Sequence, residues 1–374
     1  MAGAFHGHGD NIPFPHTFNG ALRTALHDTL GDKIKNSFFS AGPFLKKDNI
    51  YYFVTPRDLL LNGDENHSIL KLAPVKEGIC SSSLPDGLCE LEANGIKETK
   101  EKIPPYISKE YFERYLKSDG LNLDKNHFLN NSDMFKQEYQ IGIKIDPRTN
   151  TTEAKNFYNK TNMRLEHGVQ MAGLIRDIDE FPSETYIKFG GEARMVKMTA
   201  SPMENSILPK GGVIEKERVK FVLLTPAIYG PINEHLGGWR PHWIDTNNNV
   251  KLLDGPGKEK VKRLKKRGIF VQEGRPINAK LVAARVDKPV IITGYASGGS
   301  VGDLKGVKVA MLGVPAGSVY YFEADTPDDA KRLANVLNWY GADENSNEIV
   351  NTRTMFLGEK GFGVGVCAPW EYTK

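Results

Sequence analysis

The chain has 374 residues, 40% apolar and 25% charged, an ordinary globular composition that excludes a wholly disordered chain; its length predicts two domains. Its 49 basic and 46 acidic residues leave a net charge of +3, too small to select a partner. No stretch approaches the roughly 20 apolar residues of a membrane span, and no basic-then-apolar leader opens the chain.

The first segment, rich in proline and glycine, reads as a loop up to about Thr17. Phe18, Leu22, Ala25, Leu26, Thr29 and Leu30 then recur at helical spacing, with Gly31 as a stop and Thr17 or Asn19 as the cap. The start of this helix is a candidate phosphate seat. Residues 49–61 read as a strand ending at Pro56, and 62–135 as a polar, turn-rich insertion with a few short helices. Tyr139, Ile141, Ile143 and Ile145 alternate with polar residues, the period of a half-buried strand. Residues 157–175 and 185–196 also read as strands, the second broken at Gly190 and Gly191, and 201–212 as a linker.

The second unit opens with a strand in 219–229. Another follows in 279–295, with a bulge at Lys288 and Pro289, and then two strands around a tight turn in 307–324. Residues 326–341 carry the clearest helix: Thr326 caps, Pro327 sits in the first turn and Asp328 and Asp329 suit the positive end. Ala330, Leu333, Ala334, Leu337 and Tyr340 make its apolar stripe, Gly341 stops it, and 361–370 form a final strand. Strands with helices packed on them, without regular βαβ alternation, predict an α+β fold divided into 1–205 and 206–374.

Several groups could carry chemistry. Residues 258–267 hold seven basic side chains against Glu259, the pattern of a nucleic-acid contact or of a solvated face. Gly361, Gly363 and Gly365 fit neither a dinucleotide fingerprint nor a P-loop; they suit a loop approaching phosphates or a turn into a strand. Residues 292–302 are a second glycine-rich stretch, either a hairpin over RNA or a surface loop. His6, His8 and His16 cluster near the start without an evident partner for general-base catalysis. Trp239, Arg240 and Trp243 suit base stacking or a small satellite core. Asp177, Asp179 and Glu180 lack the phosphate loop a magnesium site would use. Cys80, Cys89 and Cys367 make neither a disulfide framework nor a zinc site and suit a reducing cytoplasm. No metal or cofactor is expected.

Taken in order, several segments resemble one family. They are residues 20–26 (GALRTAL), the YQIGIKID strand with Ala154 and Tyr158, FGGEAR (189–194), ITGY (292–295), VPAGSVYYFEA (314–324) and GFGVGV (361–366). Together they resemble subunit three of the Cmr complex, the type III-B CRISPR RNA-guided effector. The resemblance implies two ferredoxin-like, RRM-related domains of the RAMP superfamily and a cytoplasmic subunit that does not cut RNA. It implies that this subunit holds the 5′ tag of the CRISPR RNA, against the large polymerase-like subunit and the backbone subunit. Family members usually open on a strand and an Arg-Asp turn ahead of the proline-rich lead. Here Met1 lies close to that lead, a departure that bears on the first strand of the N-terminal sheet.

A single-stranded tag offers phosphates and splayed bases. The expected RNA contacts are Thr17, Gly20, Arg23 and Thr24 at the first helix, Gly190, Gly191 and Arg194, Tyr295 in a finger over the tag, and Gly361, Phe362 and Gly363. The alternative is a metal-independent RAMP endoribonuclease that uses His8 or His16 as general base on CRISPR precursor RNA. A scaffold subunit that binds only protein is a third reading.

Overall fold

The computed structural model describes residues 6–7, 12–30, 38–76, 84–85, 87–145, 148–149, 151–178, 181–190, 194–202, 206–230, 238–296, 306–307 and 309–373. Helix α1 (Pro15–Leu30) leads into strands β1 (Phe39–Lys47) and β2 (Ile50–Val54). Strand β3 (Tyr106–Ser108), helix α2 (Lys109–Leu116) and strand β4 (Phe128–Leu129) follow. The long hairpin of β5 (Phe135–Ile145) and β6 (Thr152–Leu165) runs on through β7 (Val169–Arg176) to a small hairpin, β8 (Glu184–Lys188) and β9 (Met195–Thr199). The second half holds β10 (Arg218–Leu223), α3 (Lys258–Lys266), β11 (Ala279–Arg285), β12 (Val290–Ile292), β13 (Tyr295–Ala296), β14 (Met311–Gly313), β15 (Val319–Ala324), α4 (Pro327–Leu337) and β16 (Gly365–Pro369).

Two antiparallel sheets organise the molecule, which is α+β as expected. The first has the order β4-β3-β2-β1-β7 and the second β11-β15-β10-β16. Alternation along β10 explains how the second sheet is buried on both faces. Val219, Phe221 and Leu223 meet Ala330, Leu333 and Leu337 of α4, whereas Val222 packs with Phe44, Phe53 and Phe112 of the first half. The largest core therefore crosses between the halves.

A buried polar group sits in that shared core. Asp58, fully enclosed just after β2, accepts Lys220 Nζ at 3.0 Å, Tyr115 Oη at 2.7 Å and Tyr321 Oη at 2.9 Å. Asp58 and Tyr115 belong to the first half, Lys220 and Tyr321 to the second. Lys220 Nζ also lies 3.8 Å from the Tyr115 ring centre, so its charge meets a π face as well as a carboxylate. Burial lowers the Lys220 pKa, and the attraction of Asp58 opposes that shift.

Several expectations need correction. Helix α1 starts at Pro15, ahead of Thr17, because proline at the first helical position has no N–H to lose. Thr17 and Asn19 are thus inside the helix, and Asn19 is buried, donating to Ser40 Oγ at 2.9 Å. The segment read as an insertion supplies β3, α2 and β4 to the first sheet and its core: Phe112, Tyr115 and Leu116 of α2 are fully buried. Strand β1 was not expected, since Gly42-Pro43 reads as a turn; it accommodates the pair at an irregularity in its pairing with β7. Residues 157–175 are two strands, turning at Gly168, whose φ is +77°. Helix α4 ends at Leu337, three residues before Tyr340, with Asn338 as its C-cap.

Candidate RNA-binding site

The four sequence elements expected to hold RNA gather around the first turns of α1. Its entry is stacked from aromatic rings: Phe14 lies on His16 with centroids 6.0 Å apart, and His16 lies on Phe362 at 5.9 Å. Phe362 shares a small core with Ile228 and Ile292, which ties the glycine-rich loop and β12 to the same place. On the other side of α1, Phe18 meets Phe189 edge-on at 6.3 Å, which brings in the turn that starts at Gly190. Ile187 of β8 packs on Ala21 and Ala25.

Within this cluster the expected residues have different surroundings. Gly20 and Arg23 are exposed on α1, and Arg23 lies over the Phe38 ring at 5.4 Å. A side chain at Gly20 would meet nothing within 4 Å, so that position leaves open space above the helix. Thr24 is exposed, but its hydroxyl donates to Gly20 O at 3.0 Å, the back-bond common for threonine within helices. Thr17 is half-buried, and its N–H already bonds Phe14 O at 2.9 Å. Gly190 is exposed with φ +86°, and the turn it opens is closed by the Phe189 N–H to Arg194 O bond at 2.8 Å. Arg194 is half-buried beside it, while Gly191 lies outside the described residues. Tyr295 pairs with Val307 in a short ladder, and its side chain lies outside the described residues.

The glycine-rich loop differs most from expectation. Phe362 is fully buried, so its ring packs the protein and offers no face to a base in this conformation. Gly361 has φ +85°, and a Cβ there would stand 2.6 Å from Ala41 Cα and 2.7 Å from Ser40 O. At Gly363 the same atom would meet the Arg353 carbonyl carbon at 2.6 Å. Close approach is therefore required, but by the protein's own backbone: the loop clamps β1 and the segment around Arg353. Its Phe362 anchor in turn sets the position of the α1 entry.

Other candidates resolve by packing. Trp243 is buried and stacks on Phe322 at 5.7 Å, a core use of the ring; Trp239 is half-buried under Arg240, 5.3 Å away. His16 sits in the aromatic stack, and His8 lies outside the described residues. Among the described residues no group of three His, Cys, Asp or Glu could hold a metal ion, and no helix is long and apolar enough to cross a membrane.

What the sequence missed is the connectivity under this surface. Arg353 Nε donates to Val336 O, anchoring the clamped loop to α4, and burial pushes the Arg353 pKa down to about 10. Thr354 Oγ1 donates to Ile228 O at 3.0 Å and accepts the Ile228 N–H at 2.9 Å. No short motif marks these residues, because each works through contacts distant in sequence.

Comparison with known proteins adds the family. Two solved chains that match come from cryo-EM structures of the type III-B Cmr-beta complex. One is bound to cognate target RNA, at 13% identity over 86% of this chain and 79% of the other, with a TM-score of 0.44. The second, bound to cognate target RNA and AMPPnP, is also 13% identical, over 87% and 80%, with a TM-score of 0.41. No curated protein matches the sequence. The family model described as CRISPR-associated protein (Cas_Cmr3) matches residues 7–367, and the chain belongs to that family.

Proposed function

We propose that this chain is the subunit that holds the 5′ tag of the CRISPR RNA at the base of a type III-B effector, without cutting RNA itself. The observation that carries the reading is the gathering of α1, the Gly190 turn, the β12–β13 segment and the Gly361 loop around one surface. That surface presents Arg23 and Arg194 as cations and Gly20 and Gly190 as open backbone, the groups a phosphate chain needs. Phe362 and Gly361 act beneath it, as the support that fixes the helix entry. The partners expected beside it are the large polymerase-like subunit and the backbone subunit. In the second half, strand order (second, third, first, fourth in sequence) supports a ferredoxin-like unit. The first sheet, a four-strand meander extended by β7, does not follow that order.

The test is a titration of the full chain, with and without its large-subunit partner, against CRISPR RNA carrying or lacking the tag, in EDTA. Preference for tagged RNA that stays intact supports the reading. Arg23→Ala should then weaken tagged binding and flatten its salt dependence by about 0.7 in log–log slope, the value of one phosphate contact on a single strand. Clean cleavage in EDTA, lost in His16→Ala, would replace this reading with the metal-independent ribonuclease, for which the place of His16 in the cluster is the supporting observation. Binding indifferent to the tag would reduce the chain to a general RNA-binding scaffold.

A further inference from the structure

Helix α3 stands apart from everything described so far. None of its residues is buried; Val261 and Leu264, one turn apart, are half-buried and anchor it. Its other side chains form two cationic ridges: Lys258, Lys262, Lys265 and Lys266 on one flank, Lys260, Arg263 and Arg267 on the other. Lys262 pairs with Glu259 at 3.1 Å. The remaining six make no ion pair among the described residues, unlike Arg332 and Arg275 nearby, which share Asp254. Such a density of uncompensated charge is costly to the free protein through self-repulsion.

The helix ends in a Schellman turn. Gly268, with φ +78°, donates to Lys265 O, and Ile269 N–H donates to Leu264 O, both at 3.0 Å. This turn delivers Ile269, Phe270 and Val271 directly beyond the cations at 50%, 79% and 39% exposure. An aromatic ring so far into solvent at the end of a basic helix is the pairing that binds single strands: phosphates on the ridges, a base on the ring. A protein partner of ordinary size would bury about 800 Å² on each side around an apolar centre, and three residues do not supply one.

Strand register places this surface away from the tag site. The chain returns from α3 into β11 where Ala279 pairs with Ala324, whereas Phe362 lies at the end of the same sheet where Leu223 pairs with Gly365. Six residues of β10, about 20 Å, separate the two ends. We propose that α3 and Ile269–Val271 form a second nucleic-acid site, which takes single-stranded RNA by its phosphates and one stacked base, without regard to sequence.

The experiment uses the full chain and an oligouridylate lacking the tag, titrated over a series of salt concentrations. Lys260→Gln/Arg263→Gln/Arg267→Gln should flatten the log–log salt slope by about 2, three phosphate contacts at 0.7 each. Phe270→Ala should weaken binding about 5- to 100-fold with the slope unchanged. Both variants should melt at the wild-type temperature, since all four substituted side chains are exposed, and both should keep the wild-type ratio of tagged to untagged affinity. Wild-type affinity and slope in both variants would overturn the proposal and assign the surface to an acidic protein partner. A wild-type chain with no measurable affinity for the oligouridylate would overturn it as well. The tag reading fails separately, if the wild type does not distinguish tagged from untagged RNA.

Discussion

Asp58→Asn tests whether the two halves are held by the buried charge that joins them. The substitution keeps the shape and leaves the Asn oxygen to accept from Tyr115 and Tyr321, but it removes the only carboxylate bonded to Lys220 among the described residues. Both partners are enclosed in the shared core. Removing one partner of such a pair costs about 3–5 kcal/mol, a large part of the roughly 5–15 kcal/mol of a folded protein. The loss must also depend on pH. Asp58 raises the Lys220 pKa against the lowering effect of burial, so in the variant only the lowering remains. In the unfolded chain a lysine titrates near 10.4. Between those two values the unfolded state holds a proton that the folded variant lacks, so variant stability climbs with pH, by up to about 1.4 kcal/mol per unit. The wild-type window is narrower and closer to 10.4, so the deficit should shrink as pH rises above neutrality. Urea unfolding at several pH values measures this directly. Adding Lys220→Met should recover most of the loss, because no isolated charge is left in the core. A deficit below about 1 kcal/mol at neutral pH, or one independent of pH, would refute the argument.

Two further outcomes follow from packing. Phe362→Ala should cost about 3–5 kcal/mol in thermal unfolding, as for large aromatic truncations in a core, and should loosen tagged RNA binding although the ring is buried. Unchanged binding in the folded variant would show that the α1 entry does not depend on the loop. Burial pushes the Cys367 thiol pKa well up, so it should resist alkylation at neutral pH until the protein unfolds. Mass spectrometry of native and denatured samples reads this, and rapid native labelling of Cys367 would contradict the burial.

The sequence was most readable where local chemistry agrees with the fold. Helix α4 was recognisable because Thr326, Pro327 and the apolar stripe each point the same way, and Thr326 Oγ1 does accept the Asp329 N–H at 3.1 Å. The Gly190 break was legible for the same reason, whereas the single bulged strand expected over 279–295 is two strands, β11 pairing with β15 and β12 with β14. Strand β1 was hidden by Gly42-Pro43, a turn signal inside a strand whose pairing is set by distant neighbours. Helix α2 was expected only as one of a few short helices in an insertion; its charged residues hid its place in the core, although Phe112, Tyr115 and Leu116 stand at helical spacing behind the Ser108 cap. At the candidate site the elements could be named from the sequence, but the division of labour among them could not. Glycines around Phe362 suggest exposure, and only the fold reveals Ala41 and Arg353 as what they approach. The Asp58–Lys220 bond, across 162 positions, leaves no local trace at all.

The two-faced burial of the second sheet also bears on how the chain is made. Asp58, Phe44 and Phe112 leave the ribosome long before the strand that covers them, and β16, which closes the sheet beside β10, follows β10 by more than 140 positions. The first half therefore carries a carboxylate without its cation, and open apolar surface, until β10 is made. Truncation from the C-terminal end should injure the N-terminal half as much as its own. Exchanging either half between relatives should succeed only if the residues meeting across the shared core are exchanged with it.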